Sequence, residues 1–154
     1  MSSVPNSSTL LAPNFEAIPN ELIGYSQWVL WRLEERGGRS TKVPYRPGGH
    51  RADITDPGHW SSFKHVVETF DNTSIYNGIG FVLTADDPFV AVDLDKCVGD
   101  DGAPVPWARG IIDEIDSYTE WSPSGAGVRI IARGELGLEG NRRGQVEVYS
   151  QDRT

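Results

Sequence analysis

The apolar positions of the chain follow two different periods. In short runs, apolar residues alternate with polar ones or form compact blocks, a pattern typical of β-strands. Residues 55–70 and 106–117 instead repeat bulky apolar side chains every three or four positions, as amphipathic helices do. This order predicts an α+β or α/β sandwich with helices packed on a sheet.

The predicted strands are 28–33, 41–46, two strands within 78–96, 128–132 and 145–149. Residues 34–40 are expected to form the turn between the first two strands, and Pro44, which has no amide hydrogen to donate, favours an edge position for the second strand. Trp107 is expected on the apolar stripe of the second helix, and residues 133–144 are expected to be a polar connection.

The polar segments suggest how the chain divides. Residues 1–14 are rich in Ser, Asn and Pro, with little to bury, so they are expected to form a flexible tail. Residues 15–154 have the length of one ordinary domain. Because the sequence stops just after a predicted strand, we expect it to be part of a longer protein.

Composition narrows the classes of function. The chain has 14 Lys and Arg against 22 Asp and Glu, a net charge of -8, so it lacks the overall basic surface that holds nucleic acid non-specifically. Its single cysteine, Cys97, excludes an internal disulfide framework and fits a reducing compartment. No apolar run is long enough for a membrane span, and no signal peptide is evident, so a cytoplasmic location is expected.

The segment GIGFVLTADDPFVAVDLDK, residues 78–96, contains two apolar strands that lead into the pair Asp93 and Asp95. Because side chains alternate along a strand, Asp93 and Asp95 share one face while Val92 and Leu94 share the other. Paired carboxylates are ligands for hard divalent cations such as Mg²⁺ or Mn²⁺. The alternative is that these residues only form a turn or cap a helix.

Glu147 is a candidate third ligand. It lies between Val146 and Val148 in a short predicted strand, so its carboxylate faces away from the two valines. If this strand neighbours the one with Asp93 and Asp95, three carboxylates converge on one sheet face, as metal-dependent phosphoryl transfer requires. The alternative is a lone glutamate in solvent.

Basic and glycine-rich residues could hold an anion. The segment SPSGAG at residues 122–127 can present backbone amides to phosphate, although it matches neither common glycine-rich fingerprint and could be a plain turn. Arg129 follows it, with a guanidinium that matches phosphate oxygens. Lys42 and Arg153 could add positive charge or be ordinary solvated residues.

Taken together, the ordered motifs resemble the primase-polymerase domain of phage and plasmid replication proteins, in the archaeo-eukaryotic primase superfamily. The resemblance covers roughly residues 25–153. It implies an α+β fold, with helices packed on a mixed β-sheet around a primase-like catalytic core. The motifs that carry it are WVLW, TKVPY, TDPGHW, GIGFVLT, VAVDLD, SYTEWSPSGAGVRI and VEVY.

The resemblance also implies roles for particular residues. Asp93, Asp95 and Glu147 would bind the catalytic Mg²⁺ or Mn²⁺. A motif of the form SGxGxH contacts the nucleotide phosphates in relatives, and here it corresponds to Ser124, Gly125, Gly127 and Arg129, with Arg129 in place of the usual His. Arg153 would help to hold the triphosphate.

The function expected from this resemblance is DNA priming, DNA polymerisation or both, by a two-metal mechanism. The substrates would be nucleoside triphosphates and a single-stranded DNA template with its primer. A helicase or DNA-binding partner, on the same polypeptide or another, would supply template affinity. Two alternatives stay open: a non-catalytic replication module that binds nucleotide or DNA, favoured by Arg129, and a metal-dependent nuclease.

Overall fold

The computed structural model describes residues 10–136 and 141–154. Most of the expected N-terminal tail, residues 1–9, lies outside the described residues. Short 3-10 turns occur at Phe15–Ala17 and Pro57–His59. The described α-helices are α1 Asn20–Ile23, α2 Phe63–Asn72 and α3 Pro106–Ile115, and the described strands are β1 Trp28–Arg36, β2 Arg39–Tyr45, β3 Gly78–Phe81, β4 Phe89–Leu94, β5 Tyr118–Trp121, β6 Val128–Arg133, β7 Asn141–Arg143 and β8 Val146–Tyr149.

The chain divides into two compact units. The first runs to Val82 and also includes Asp152–Thr154, and the second is Leu83–Gln151. The first unit contains a sheet of order β2-β1-β3 and the second a sheet of order β5-β6-β4-β8-β7. The strand pairs described in both sheets are antiparallel. The predicted α+β fold is therefore confirmed.

Strand β1 is the centre of the first unit. Its first four residues, Trp28–Trp31, are all buried, so both faces of the strand are covered. The indole of Trp28 packs edge-on against Phe63 of α2 and Phe81 of β3. Because aromatic side chains bury large areas and favour this edge-to-face geometry, these contacts hold α2 on the sheet.

Strands β1 and β2 form a hairpin with a two-residue turn. Gly37 and Gly38 have φ angles of 57° and 78°, the mirror-type turn geometry that matches the twist of the flanking strands. This turn is shorter than the polar segment 34–40 that sequence reasoning assigned to it. Strand β2 is at the edge of its sheet, as predicted from Pro44, which has no amide hydrogen to donate.

The first long helix begins later than the apolar spacing predicts. Trp60 has an extended backbone and precedes α2, so its inclusion in the helical pattern was wrong. The helix begins at Phe63 because Ser62 caps it: the Ser62 hydroxyl oxygen accepts a hydrogen bond from the His65 amide at 3.2 Å.

In the second unit, α3 covers one face of the five-stranded sheet. The core there contains alternate residues of β4 and β6, two residues of α3 and the buried Cys97 thiol. This alternation leaves the intervening polar residues on the opposite face. The buried members are Val92, Leu94, Cys97, Ala108, Ile112, Val128 and Ile130.

Two further predictions for this unit need correction. The apolar spacing places Trp107 on the buried stripe of α3, but Trp107 is exposed, and the buried positions are Ala108 and Ile112. Asp116 then ends the helix in a left-handed conformation, with φ of 47°. Residues 133–144 were expected to be only a connection, yet Asn141–Arg143 pair with β8, because backbone pairing does not need an alternating apolar pattern.

Candidate active site

The register of the second sheet brings predicted functional residues from three strands into line. Asp93 on β4 lies opposite Arg129 on β6 and opposite Glu147 on β8. Glu120 on β5 continues the row, because it is paired with Arg129. Directly opposite residues in an antiparallel sheet point to the same face. Glu120, Arg129, Asp93 and Glu147 therefore form one row on the face away from α3, and we call it the charged row.

Asp93 and Arg129 form a bidentate ion pair in the middle of this row. The Arg129 Nε donates to Asp93 Oδ1 at 2.8 Å and the Arg129 Nη2 to Asp93 Oδ2 at 3.1 Å. The Arg129 side chain is only 21% exposed and the Asp93 side chain only 22%. A parallel pair of charge-assisted bonds in a partly buried place fixes the orientation of both groups.

Tyr149 completes this arrangement. Its hydroxyl accepts a hydrogen bond from Arg129 Nη2 and donates one to Asp93 Oδ2. The guanidinium also lies 5.4 Å from the centroid of the tyrosine ring. Tyr149 is paired with Ala91, one row inward from Asp93 on the same face. The three side chains therefore constitute a closed hydrogen-bonded cluster, which we call the Asp93 cluster.

The cluster shifts the titration of its members. Burial alone would disfavour a charged guanidinium, but the hydrogen bonds and charge of Asp93 more than offset this, so the pKa of Arg129 is raised above its usual range. Burial raises the pKa of the Tyr149 hydroxyl, and the Asp93 charge adds to the increase although Arg129 opposes it. Arg129 is thus a permanent cation and Tyr149 a neutral donor near pH 7.

Asp95 lies in the next row of the same face, just beyond the end of β4. Its amide donates to the Gln145 carbonyl oxygen at 2.8 Å, and the Gln145 side chain donates to the Asp95 carbonyl oxygen at 3.0 Å. Gly127 also lies beside Asp95, because a Cβ added to Gly127 would be 3.6 Å from the Asp95 Cα. Lys96 follows with φ of 49°, so the chain turns away from the sheet immediately after Asp95.

The serine–glycine loop, residues 122–127, therefore lies beside Asp95. The Ser122 amide donates to the Gly127 carbonyl oxygen at 2.8 Å, which closes the loop between β5 and β6. Gly125 has φ of 76°, a backbone conformation that favours glycine. At Gly127 the reason for glycine is space, because a Cβ would come within 2.6 Å of the Leu94 carbonyl oxygen.

Hydrogen bonds inside this loop define what it can offer a ligand. The amides of Gly127 and Ala126 donate to the hydroxyl oxygens of Ser122 and Ser124, at 3.0 and 3.3 Å. The two hydroxyl oxygens are 3.2 Å apart, so one proton can lie between them. The other hydroxyl proton can then be donated to an anion. The loop thus offers a hydroxyl donor, whereas four of its five amides, those of Ser122, Gly125, Ala126 and Gly127, are already engaged.

The carboxylates supply the oxygen donors that Mg²⁺ and Mn²⁺ prefer. Asp93 and Glu147 are cross-strand partners, and Asp95 is one row further out on the same face. Within residues 10–136 and 141–154, however, no group of three or more His, Cys, Asp or Glu side chains is arranged to hold a metal ion. Binding at Asp93 would also have to compete with Arg129. The donor chemistry fits a divalent ion, and this side-chain arrangement is not that of a formed metal centre.

Lys42 and Arg153 both belong to the first unit. The Lys42 ammonium donates to the Thr154 carbonyl oxygen at 3.4 Å and lies 5.0 Å from the Trp31 ring centroid. Arg153 is exposed and takes part in an isolated bridge of the backbone. The charged row and the serine–glycine loop belong to the second unit. Of the predicted site residues, the second sheet therefore brings together Asp93, Glu147, Arg129 and Asp95.

Sequence reasoning missed Tyr149 and Glu120 as members of this face. Tyr149 is two residues after Glu147, and strand alternation alone places both on one side. Glu120 could not be assigned in this way, because its position depends on the pairing of β5 with β6. Its hydrogen bond from the Tyr118 hydroxyl, at 2.9 Å, also orients it on this face.

Comparison with known proteins agrees with the class that the fold and motifs indicate. No protein-family model matches the chain. The resemblance to primase-polymerases is nevertheless confirmed by the sequence similarity to one known protein. Over 114 residues the chain is 42% identical to a protein named DNA primase-polymerase from the Nitratiruptor phage NrS-1. The match covers 73% of the chain and only 15% of that relative. In the part of the chain that the structure describes, no helix is both long and apolar enough to cross a membrane.

Proposed function

We propose that the chain contains the catalytic domain of a template-dependent nucleotidyltransferase, a DNA primase, a DNA polymerase or both, in phage or plasmid-type replication. One observation carries this proposal: the sheet register places Asp93 between Arg129 and Glu147, with Asp95 and the serine–glycine loop in the next row. Acidic groups for metal ions and donors for phosphate thus share one face. The similarity to a phage DNA primase-polymerase supports the same conclusion.

Asp93, Asp95 and Glu147 would hold Mg²⁺ or Mn²⁺ in this proposal. Bound divalent ions supply charge stabilisation at the phosphoryl group and increase the reactivity of the attacking hydroxyl. The protein's part is to present the carboxylates on a rigid sheet, with Val92 and Leu94 anchored in the core behind them. Arg129 has to share Asp93 with an ion or release it, since its two donors now lie on the two carboxylate oxygens.

The nucleotide phosphates would be held beside this position. Ser124 is exposed and offers a hydroxyl, while Gly125 and Gly127 allow the backbone conformation and close packing of the loop. Among the described residues, the Nη1 group of Arg129 makes no hydrogen bond, so it can meet a phosphate oxygen. Arg153 is the further basic residue that we assign to the triphosphate.

Because residue 129 is arginine and not histidine, this site differs in the proton transfer that it can support. The pKa of Arg129 lies above the usual arginine range, so this side chain cannot carry a proton to or from the substrate near neutral pH. Its contribution is therefore electrostatic, through neutralisation of phosphate charge and positioning of Asp93. Proton transfer from the attacking hydroxyl has to go to another group or to water.

A second candidate function is a non-catalytic module that binds nucleotide or DNA during replication. The ion pair between Arg129 and Asp93 favours it, because that pair neutralises the carboxylate at the centre of the charged row. In either case the net charge of -8 predicts weak binding of template by the chain alone. We therefore also propose a helicase or DNA-binding partner.

The test is a primer-extension assay with the full chain, a primed single-stranded template, deoxynucleotides, and Mn²⁺ or Mg²⁺. Extension that requires the metal ion and the template supports the proposed function. Triphosphate binding without incorporation would instead establish the non-catalytic module. Degradation of the template in the absence of nucleotides would establish a nuclease.

A further inference from the structure

The positive charge of this acidic chain is concentrated in the β1–β2 hairpin and the turn after it. Residues 32–51 contain six Arg or Lys but only two acidic residues, a net charge of +4, whereas the whole chain carries -8. Such asymmetry within one chain is typical of a surface that meets a polyanion. The basic residues are Arg32, Arg36, Arg39, Lys42, Arg46 and Arg51.

The tip of this hairpin places two arginines directly opposite each other. Arg36 ends β1, Arg39 begins β2, and the two are register partners across the Gly37–Gly38 turn. Both are exposed. Among residues 10–136 and 141–154, neither guanidinium has an ion pair or a hydrogen-bonding acceptor. Like charges directly opposite on a sheet repel and destabilise the pair, so an anion between them would remove a cost that the free hairpin bears.

The acidic residues of the hairpin do not supply that anion. Both carboxylate oxygens of Glu34 are occupied: Oε1 accepts from Arg51 at 2.8 Å, while Oε2 accepts from Arg32 at 3.3 Å and from the Tyr45 hydroxyl. Glu35 alternates to the opposite face of the strand. Arg46 also lacks a carboxylate partner among the described residues, but it is half-buried with its Nε enclosed, whereas Arg36 and Arg39 at the tip are exposed.

Edge strands often carry charge simply to prevent unwanted strand pairing. Either sign of charge serves that purpose, and this chain uses acidic residues more often than basic ones elsewhere. Two guanidiniums placed together have an additional property, because each presents a planar fork of donors that fits the oxygens of a phosphate. No large apolar side chain is exposed at the tip. The surface therefore suits a phosphodiester backbone and does not suit the stacking of bases.

We propose that the Arg36–Arg39 hairpin tip binds the sugar-phosphate backbone of single-stranded DNA, independently of base sequence. The identity of this ligand as the template strand rests on the proposed function. The tip would supply local affinity for the template in a chain whose net charge opposes DNA binding.

The test measures binding of a fluorescent single-stranded oligonucleotide to the full chain by anisotropy, without nucleotides and with metal ions chelated. The double variant Arg36→Gln/Arg39→Gln is expected to bind about 10-fold more weakly at low salt. Its affinity should also depend less on salt, with a slope smaller by roughly 0.7 for each phosphate that the variant no longer neutralises. The matched control is Lys64→Gln/Arg109→Gln, which removes two exposed charges from helices α2 and α3 and is expected to bind as the wild type does.

Three results would overturn the inference: no binding by the wild type, equal weakening in both double variants, or equally tight binding of poly-glutamate, which would indicate an acidic protein partner. The assay requires no catalysis. Absence of primer extension together with specifically weaker binding by the hairpin variant would refute the proposed function and leave the hairpin assignment intact. Normal extension with unchanged binding by the hairpin variant would refute the hairpin assignment alone.

Discussion

At the scale of single residues, the Arg129–Asp93 ion pair is the feature with the largest consequences. A second arginine–aspartate pair in the chain, between Arg109 and Asp113, is far more exposed. Arg109 donates twice to one oxygen of Asp113 in solvent, with side chains 54% and 64% exposed. The Arg129 pair retains less than half that exposure. The two pairs thus allow the effect of a partly buried pair to be compared with that of a surface pair.

Arg129→Ala is expected to lower the free energy of unfolding by about 1–3 kcal/mol, because it leaves a partly buried carboxylate and a tyrosine hydroxyl with fewer partners. Arg109→Ala is expected to change it by less than about 0.5 kcal/mol, as is usual for exposed pairs. Urea unfolding of the two variants measures both values. Equal changes would show that the Asp93 cluster does not contribute to stability beyond an ordinary surface pair.

The raised pKa of Tyr149 predicts how the stability of the fold changes at alkaline pH. The pKa of the Tyr149 hydroxyl is raised in the folded chain, so the unfolded chain loses this proton first as the pH rises above about 10. The stability that comes from the protonated hydroxyl is complete below that pH and is lost as the pH rises toward the folded pKa. Tyr149→Phe should therefore show a different pH dependence of the unfolding free energy from the wild type above about pH 10, because it lacks this contribution. An identical pH dependence in both proteins would contradict the cluster.

At the scale of elements, substitution of Gly127 and of Gly110 by alanine is expected to change the stability of the fold in opposite directions. Gly127→Ala would place a methyl group 2.6 Å from the Leu94 backbone oxygen, so β4 and the serine–glycine loop would have to separate. A decrease of roughly 1–3 kcal/mol in stability is expected, as for other overpacked sites. The same substitution at Gly110 in the exposed middle of α3 meets no atom within 4 Å and should gain about 0.5–1 kcal/mol.

Thermal unfolding of the two variants distinguishes these effects in one experiment. A Gly127→Ala protein as stable as the wild type would show that the loop does not pack against β4 as described. Its nucleotide binding should fall together with its stability, whereas Gly110→Ala should leave nucleotide binding unchanged.

The sequence pattern predicted the elements that have a strong period or a clear turn. Strand alternation placed Asp93 opposite the core, and Pro44 indicated an edge strand. The start of α2 was missed because Ser62, a local cap, overrides the apolar spacing that includes Trp60. The burial of Ala108 in place of Trp107 depends on which face of α3 meets the sheet, and that is a property of tertiary packing.

The sequence predicted the candidate site to a similar extent. Alternation and the motif series identified Asp93, Glu147 and Arg129, and the register then showed them to be direct neighbours. The direct pairing of Arg129 with Asp93 was not predicted, because sequence does not reveal which strands lie side by side. For the same reason the sequence indicates Arg129 only as a partner for phosphate.

At the scale of the whole molecule, metal binding should stabilise the fold if the proposed function is correct. Ligands that bind only the folded state raise its stability, by about 2.7 kcal/mol at a concentration 100 times the Kd. Millimolar Mn²⁺ is therefore expected to raise the Tm of the wild type and to have little effect on Asp93→Asn. An equal rise in both proteins would place the ion elsewhere.

The most direct test of the central claim is the rate of primer extension by Asp93→Asn, measured in a single turnover with saturating Mn²⁺, deoxynucleotide and primed template. The substitution keeps the size of the side chain and removes its charge. The control, Asp100→Asn, makes the same change at an exposed loop position. We expect Asp93→Asn to be slower by on the order of 100-fold or more, as for other groups that stabilise transition-state charge, and Asp100→Asn to match the wild type. Extension at the wild-type rate by a folded Asp93→Asn protein would contradict the assignment of this sheet face as the catalytic site.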